Sequence, residues 1–181
     1  LSIIKMGFDR LLIDSNSFFT QKKKFYSKNV HLSIGQFDLV SKDSAQIITT
    51  QSLTLSTLNR ELLLFDVSIS PLKDNRKTSI EGKIRSIQFF GLDPLFVIQD
   101  RTVVGRALLL EQPAITVKQG QIAGEKFSND ALNKLVKKQF KRVSLLNIEI
   151  EKANISYLNK FGTTMLKFDD TKFYCSDFNT Y

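Results

Sequence analysis

The chain has 181 residues, 42% of them hydrophobic, which supports a packed core and is too apolar for a disordered segment. Lys and Arg number 26 against 18 Asp and Glu, a formal charge of +8 that is spread along the chain apart from Lys22-Lys23-Lys24 and the stretch from Lys134 to Arg142. A nucleic-acid footprint is more clustered and interleaved with aromatics. The single cysteine excludes an internal disulfide and zinc-finger spacing, and no apolar run approaches the roughly 18–20 residues of a membrane-spanning helix.

Strand signals fill most of the length. Residues Phe8 to Asp14 predict a short apolar strand, and Ser15 to Asn29, with the lysine triplet, a polar loop or hairpin tip. Val30 to Val40 alternates and slips phase at Gly35-Gln36, the pattern of a bulge. Residues 41–44 form a turn, Ile47 to Ser56 alternates again, and residues 57–60 turn the chain. Glu61 to Ser70 reads as a strand with Leu63, Phe65, Val67 and Ile69 on one face and Leu62 and Leu64 on the other, ending at Pro71 because proline cannot donate to a ladder. Thr78 to Phe90 is the next strand, followed by strands over 95–99, 102–111 and 114–118. Asn129 to Lys141 predicts the one helix: Ser128 suits an N-cap, Asp130 lies in the first turn, and Leu132, Val136 and Phe140 share a face. Val143 to Tyr157 is a long strand, and two short ones follow at 163–168 and 172–177, with Asp169-Asp170 turning between them.

One design recurs three times, starting near residues 30, 80 and 143. An alternating apolar stretch shifts phase and continues: Val30, Leu32, Ile34 then Phe37, Leu39; Ile80, Ile84 then Ile87, Phe89; and Val143, Leu145 then Ile148, Ile150 then Ala153, Ile155, Tyr157. The spacing of roughly 50–60 residues fits multi-strand repeat units. With 15 Phe, 4 Tyr and no Trp, the aromatics suit an apolar sheet surface rather than polar recognition. Short polar turns between strands predict an antiparallel meander. The predicted fold is mainly β: an elongated, twisted antiparallel sheet with one short helix near 129–141. It forms one domain over 1–181, and the chain reads as an internal segment of a longer repeat array.

Catalytic constellations are not found. His31, the only histidine, lies on the opposite face from Val30 and Leu32 with no partner carboxylate in the sequence pattern, and Cys175 has no nucleophile signature and reads as an inert, partly buried thiol. Gly120 and Gly124 lack Walker spacing, and Asp169-Asp170 offers too few oxygens for a metal. No cofactor is expected, and the chain reads as non-enzymatic.

The order of strand, polar turn, strand ending in Pro, loop, short helix and alternating strand resembles the AsmA-like family, bacterial members of the repeating β-groove, bridge-like lipid-transfer proteins. The likeness rests on L-L-L-F-D-V-S-I-S-P (62–71), A-L-L-L-E-Q-P-A-I-T-V (107–117) and D-A-L-N-K-L-V-K-K-Q-F-K-R-V-S-L-L-N-I-E-I-E-K-A-N-I-S-Y (130–157), and it covers most of 47–181. It implies a taco-like sheet whose apolar inner face carries acyl chains, passively, between bacterial membranes, in the periplasm or cell envelope. Membrane anchoring would come from a region outside this chain. Candidate groove residues are Leu53, Leu55, Leu63, Phe65, Val67, Ile69, Ile87, Phe89, Ile148, Ile150, Ile155 and Leu166. The expected partner is a phospholipid or other acyl lipid, with envelope proteins as further partners and no nucleic acid. Two other readings stand beside it: a scaffolding β-domain for an envelope complex with its apolar face fully packed, and a closed barrel or sandwich for a small apolar ligand.

Overall fold

A computed structural model of the protein describes residues 4–11, 27–40, 46–71, 78–92, 97, 100–120 and 141–180. These residues form eleven strands of a single sheet: β1 (Ile4–Leu11), β2 (Ser27–Ile34), β3 (Phe37–Val40), β4 (Gln46–Thr50), β5 (Ser52–Ser56), β6 (Glu61–Pro71), β7 (Ser79–Phe90), β8 (Thr102–Glu111), β9 (Ala114–Lys118), β10 (Arg142–Leu158) and β11 (Thr164–Asn179). The main path through the sheet is β1-β2-β5-β6-β7-β8-β10-β11, with β3, β4 and β9 continuing the lines of β2, β5 and β8. The helix expected at 129–141 falls outside the described residues except for Lys141, which sits at a bend before β10.

The sheet is mixed rather than purely antiparallel. β10 runs parallel to β8 and β9, with Val143 beside Val103 and Tyr157 beside Val117. The chain therefore re-enters the sheet at the end from which β8 departed, and a simple meander is broken at this one step. Every other neighbour is antiparallel. Two further expectations are corrected. Residues 164–179 form one strand, not two, because Asp169-Asp170 bends the strand without turning it back. Val97, expected in a strand, has helical backbone.

The bends are aligned. Asp66 (φ 50°), Gln112 (φ 50°), Lys152 (φ 52°) and Asp170 (φ 47°) adopt left-handed backbone inside or between strands. They stand at one level of the sheet: Phe65, Glu111 and Glu151, each one residue before its bend, are linked through Ser86, and Ala153 pairs with Thr171, each one residue after its bend. The breaks at Gly35-Gln36 and Gln51 fall on the same line, between the pairs Ile34–Leu53 and Phe37–Thr50. A second line crosses the sheet at Arg60 (φ 56°), Gly91 (φ 69°) and Asp177 (φ 54°). Gly91 is glycine because a Cβ there would stand 2.9 Å from the Cβ of Arg106 on the next strand. Left-handed backbone lets two successive side chains point to one side, so alternation slips by one residue at each line. The phase slips read in the sequence at 34/37, 84/87 and 150/153 are the imprint of the first line, and the slip at 145/148 that of the second.

Buried side chains gather at these lines. Val67, Ile84 and Ala153 are buried at the first, as is Pro113. Beyond the second, Leu92, Val103, Val143 and Leu145 form the core cluster, with Val97 and Phe178 packed against it.

Candidate functional site: a continuous apolar sheet face

Residues paired across neighbouring strands share a face, so the register assigns every row. One row reads Leu32, Leu55, Leu62, Phe89, Leu108, Ile148, Cys175. The next reads Ile34, Leu53, Leu64, Ile87, Leu110, Ile150, Phe173. Across the first bend come the buried Thr50, Val67, Ile84, Pro113 and Ala153. Beyond them lie Leu39, Ile48, Ile69, Gly82, Ile115, Ile155, Phe168, and then Ile80, Val117, Tyr157, Leu166. No charged residue interrupts these rows. Thr50 is made tolerable there by donating its hydroxyl to the Phe65 carbonyl at 2.7 Å.

Most of these side chains are half-buried, the state of a sheet face lined by its own neighbours. Exposure rises toward β11 and β3, where Leu166 reaches 52% and Leu39 48%. From Ile148 to Tyr157 the contour along β10 is on the order of 30 Å at about 3.3 Å per residue, the thickness of a bilayer hydrocarbon core and about twice the reach of one tail. The far end is sealed by the core cluster, which packs against Leu62, Phe89, Leu108 and Ile148.

The opposite face carries hydrogen-bonded polar groups beside Leu63, Phe65 and Leu109. Ser86 Oγ donates to Glu111 Oε2 at 2.6 Å, and Gln88 Nε2 donates to Ser86 Oγ at 3.1 Å. The Lys172 ammonium bridges Glu149 and Glu151, and the hydrogen bonds it donates to both carboxylates, Glu149 first, hold it above the usual lysine range. Tyr174 donates its hydroxyl to Asn147 at 2.7 Å.

Of the residues expected to line a groove, Leu53, Leu55, Ile87, Phe89, Ile148 and Ile150 share the two central rows, Val67 lies at the bend, and Ile69, Ile155 and Leu166 lie beyond it. Leu63 and Phe65 belong to the other face: Leu63 pairs with Thr54 and Gln88, and Phe65 with Ser52 and Ser86. The bend at Asp66 is the reason, since it puts Leu62 and Leu64, not Leu63 and Phe65, in phase with Val67 and Ile69. Leu108, Leu110, Ile115, Val117 and Phe173 also join the face. Their signal was the same three-residue slip, Leu110 to Pro113, hidden by the neighbouring Leu109.

His31 is exposed opposite Ser56, and Cys175, expected to be partly buried, is exposed at the edge of the apolar face. Among the described residues no group of three or more His, Cys, Asp or Glu is placed to hold a metal ion, and no helix is long and apolar enough to cross a membrane. No family model, curated protein or solved structure matches the chain.

Proposed function

We propose that the apolar face is a groove that holds phospholipid acyl chains and lets them slide between bacterial membranes, as the resemblance to AsmA-like proteins implies. The chain then works in the periplasm or cell envelope, without catalysis. One observation carries this reading: five apolar rows run through the bends in one phase, and most of their side chains stay half-exposed. A sheet that served only as a core has reason to bury such rows fully. Burial of apolar surface stabilises a bound tail by about 25 cal/mol per Å², and uninterrupted rows let it move without crossing water. The polar outer face, with its Glu149–Lys172–Glu151 bridge, remains hydrated.

Photo-crosslinking tests the reading. A benzophenone side chain at Ile87 or Ile150 is expected to capture phospholipid from a bacterial membrane extract, and one at Gln88 or Glu149, on the outer face, is not. Protein adducts alone at Ile87 and Ile150 would favour a scaffold whose apolar face is covered by an envelope protein, and equal lipid labelling on both faces would exclude a groove.

A further inference from the structure

The end of the sheet beyond the second bend sets exposed cations among exposed aliphatic side chains. Arg60, Arg106, Lys141 and Arg142 are exposed there. Arg60 Nη2 donates to the Gly91 carbonyl at 3.2 Å, and the Cβ and backbone of Arg106 fill the space a side chain at Gly91 would take, so the two arginine positions flank one glycine. Lys141 donates its backbone N–H to the Arg101 carbonyl at 2.8 Å, which brings the starts of β8 and β10 together. Among the described residues, Asp100 and Asp177 share this end and leave it net positive. The adjoining band of the outer face holds Glu111 and the Glu149–Lys172–Glu151 bridge, three carboxylates to one ammonium. Interleaved with the cations are exposed aliphatic side chains: Leu58 at 67%, Leu146 at 57% and Val104 at 42%.

We propose that this end docks on the surface of an anionic bilayer. Cations set among exposed aliphatic residues match an interface with phosphate above and hydrocarbon below. The acidic band behind the patch is repelled by the same surface, so contact is confined to the end of the sheet. A single-stranded nucleic acid would need aromatic platforms, and among the described residues the exposed aromatics Phe37, Phe65, Phe161 and Tyr174 lie elsewhere. The inference goes beyond the groove reading and does not depend on it.

Vesicle flotation tests it. The full chain is expected to float with vesicles of equal phosphatidylcholine and phosphatidylglycerol, to stay behind with phosphatidylcholine alone, and to be released by salt. The triple variant Arg60→Gln, Arg106→Gln, Lys141→Gln, checked for folding by circular dichroism, loses roughly a hundredfold in affinity, about fivefold for each cation. Lys83→Gln, Lys118→Gln, Lys160→Gln, at the other end, keeps binding. Leu58→Ser with Leu146→Ser weakens binding while preserving its salt dependence. Equal binding to neutral vesicles, an unaffected triple variant, or an equal loss in the control triple overturns the proposal. So does selective release by inorganic phosphate at matched ionic strength, which would assign a discrete phosphate site instead. Ile87→Asp and Ile150→Asp, which remove acyl labelling if the groove reading holds, leave vesicle binding intact, so the two readings fail separately.

Discussion

The bends place side chains in backbone that only glycine adopts freely. Lys152 sits at φ 52° on β10, between half-buried Glu151 and fully buried Ala153. Left-handed backbone costs an ordinary residue about 1–2 kcal/mol, and glycine's extra chain entropy returns about 0.5–1 kcal/mol of that. Lys152→Gly is therefore expected to stabilise the chain by about 0.5–1 kcal/mol, whereas Lys152→Val, β-branched and intolerant of positive φ, destabilises it by about 1–2 kcal/mol. Urea unfolding of the two variants measures both signs, and destabilisation by glycine would show that Lys152 has a role beyond shape. The same position shows what sequence reveals. Ile150 and Ala153 are separated by charged residues, so the slip between them is visible. At Asp66 the preceding residues Leu62 to Phe65 are all apolar, so neither parity is marked, and simple alternation puts Leu63 and Phe65 on the face that the register gives to Leu62 and Leu64.

At the scale of elements, strand existence was legible and strand direction was not. The bounds 102–111 and 114–118 follow from alternation broken at Gln112-Pro113, and the structure matches them. The parallel step into β10 has no local signature, because parallel and antiparallel neighbours bury the same residues. Nor does sequence distinguish a turn from a bend at Asp169-Asp170, since aspartate suits both. What holds β10 to β11 at the sealed end is one buried threonine. Thr180 donates its N–H to the Val143 carbonyl at 3.0 Å, and its hydroxyl accepts the Val143 N–H at 2.9 Å. Thr57 repeats the device on Val30, at 3.0 and 2.8 Å. Thr180→Ala leaves the Val143 N–H without a partner beside the core cluster and is expected to cost about 1–3 kcal/mol. Thr180→Ser keeps the hydroxyl and recovers most of the loss. Hydrogen exchange at Val143, faster in the alanine variant and near normal in the serine variant, checks this.

At the scale of the molecule, aligned bends turn a set of strands into one surface. If the slips fell at different levels in different strands, each would send apolar rows to the outer face, and no continuous face would exist. Their alignment keeps Leu53, Leu64, Ile87, Leu110 and Ile150 in phase with Ile48, Ile69, Ile115 and Ile155. Such a face has a thermodynamic consequence. A ligand that binds the folded sheet and not the unfolded chain stabilises it by mass action, by about 2.7 kcal/mol at a hundred times its dissociation constant. For a chain of this size each kcal/mol raises Tm by about 2–4 °C, so a saturating monomeric lysophospholipid is expected to raise Tm by about 5–11 °C. Ile150→Asp, which puts a charge in the middle row, abolishes the increment, and Thr54→Asp, on the outer face, preserves it. Scanning calorimetry on delipidated protein, below the critical micelle concentration, supplies the measurement. A Tm that does not move with lipid would mean that the aligned rows face a protein partner rather than an acyl chain.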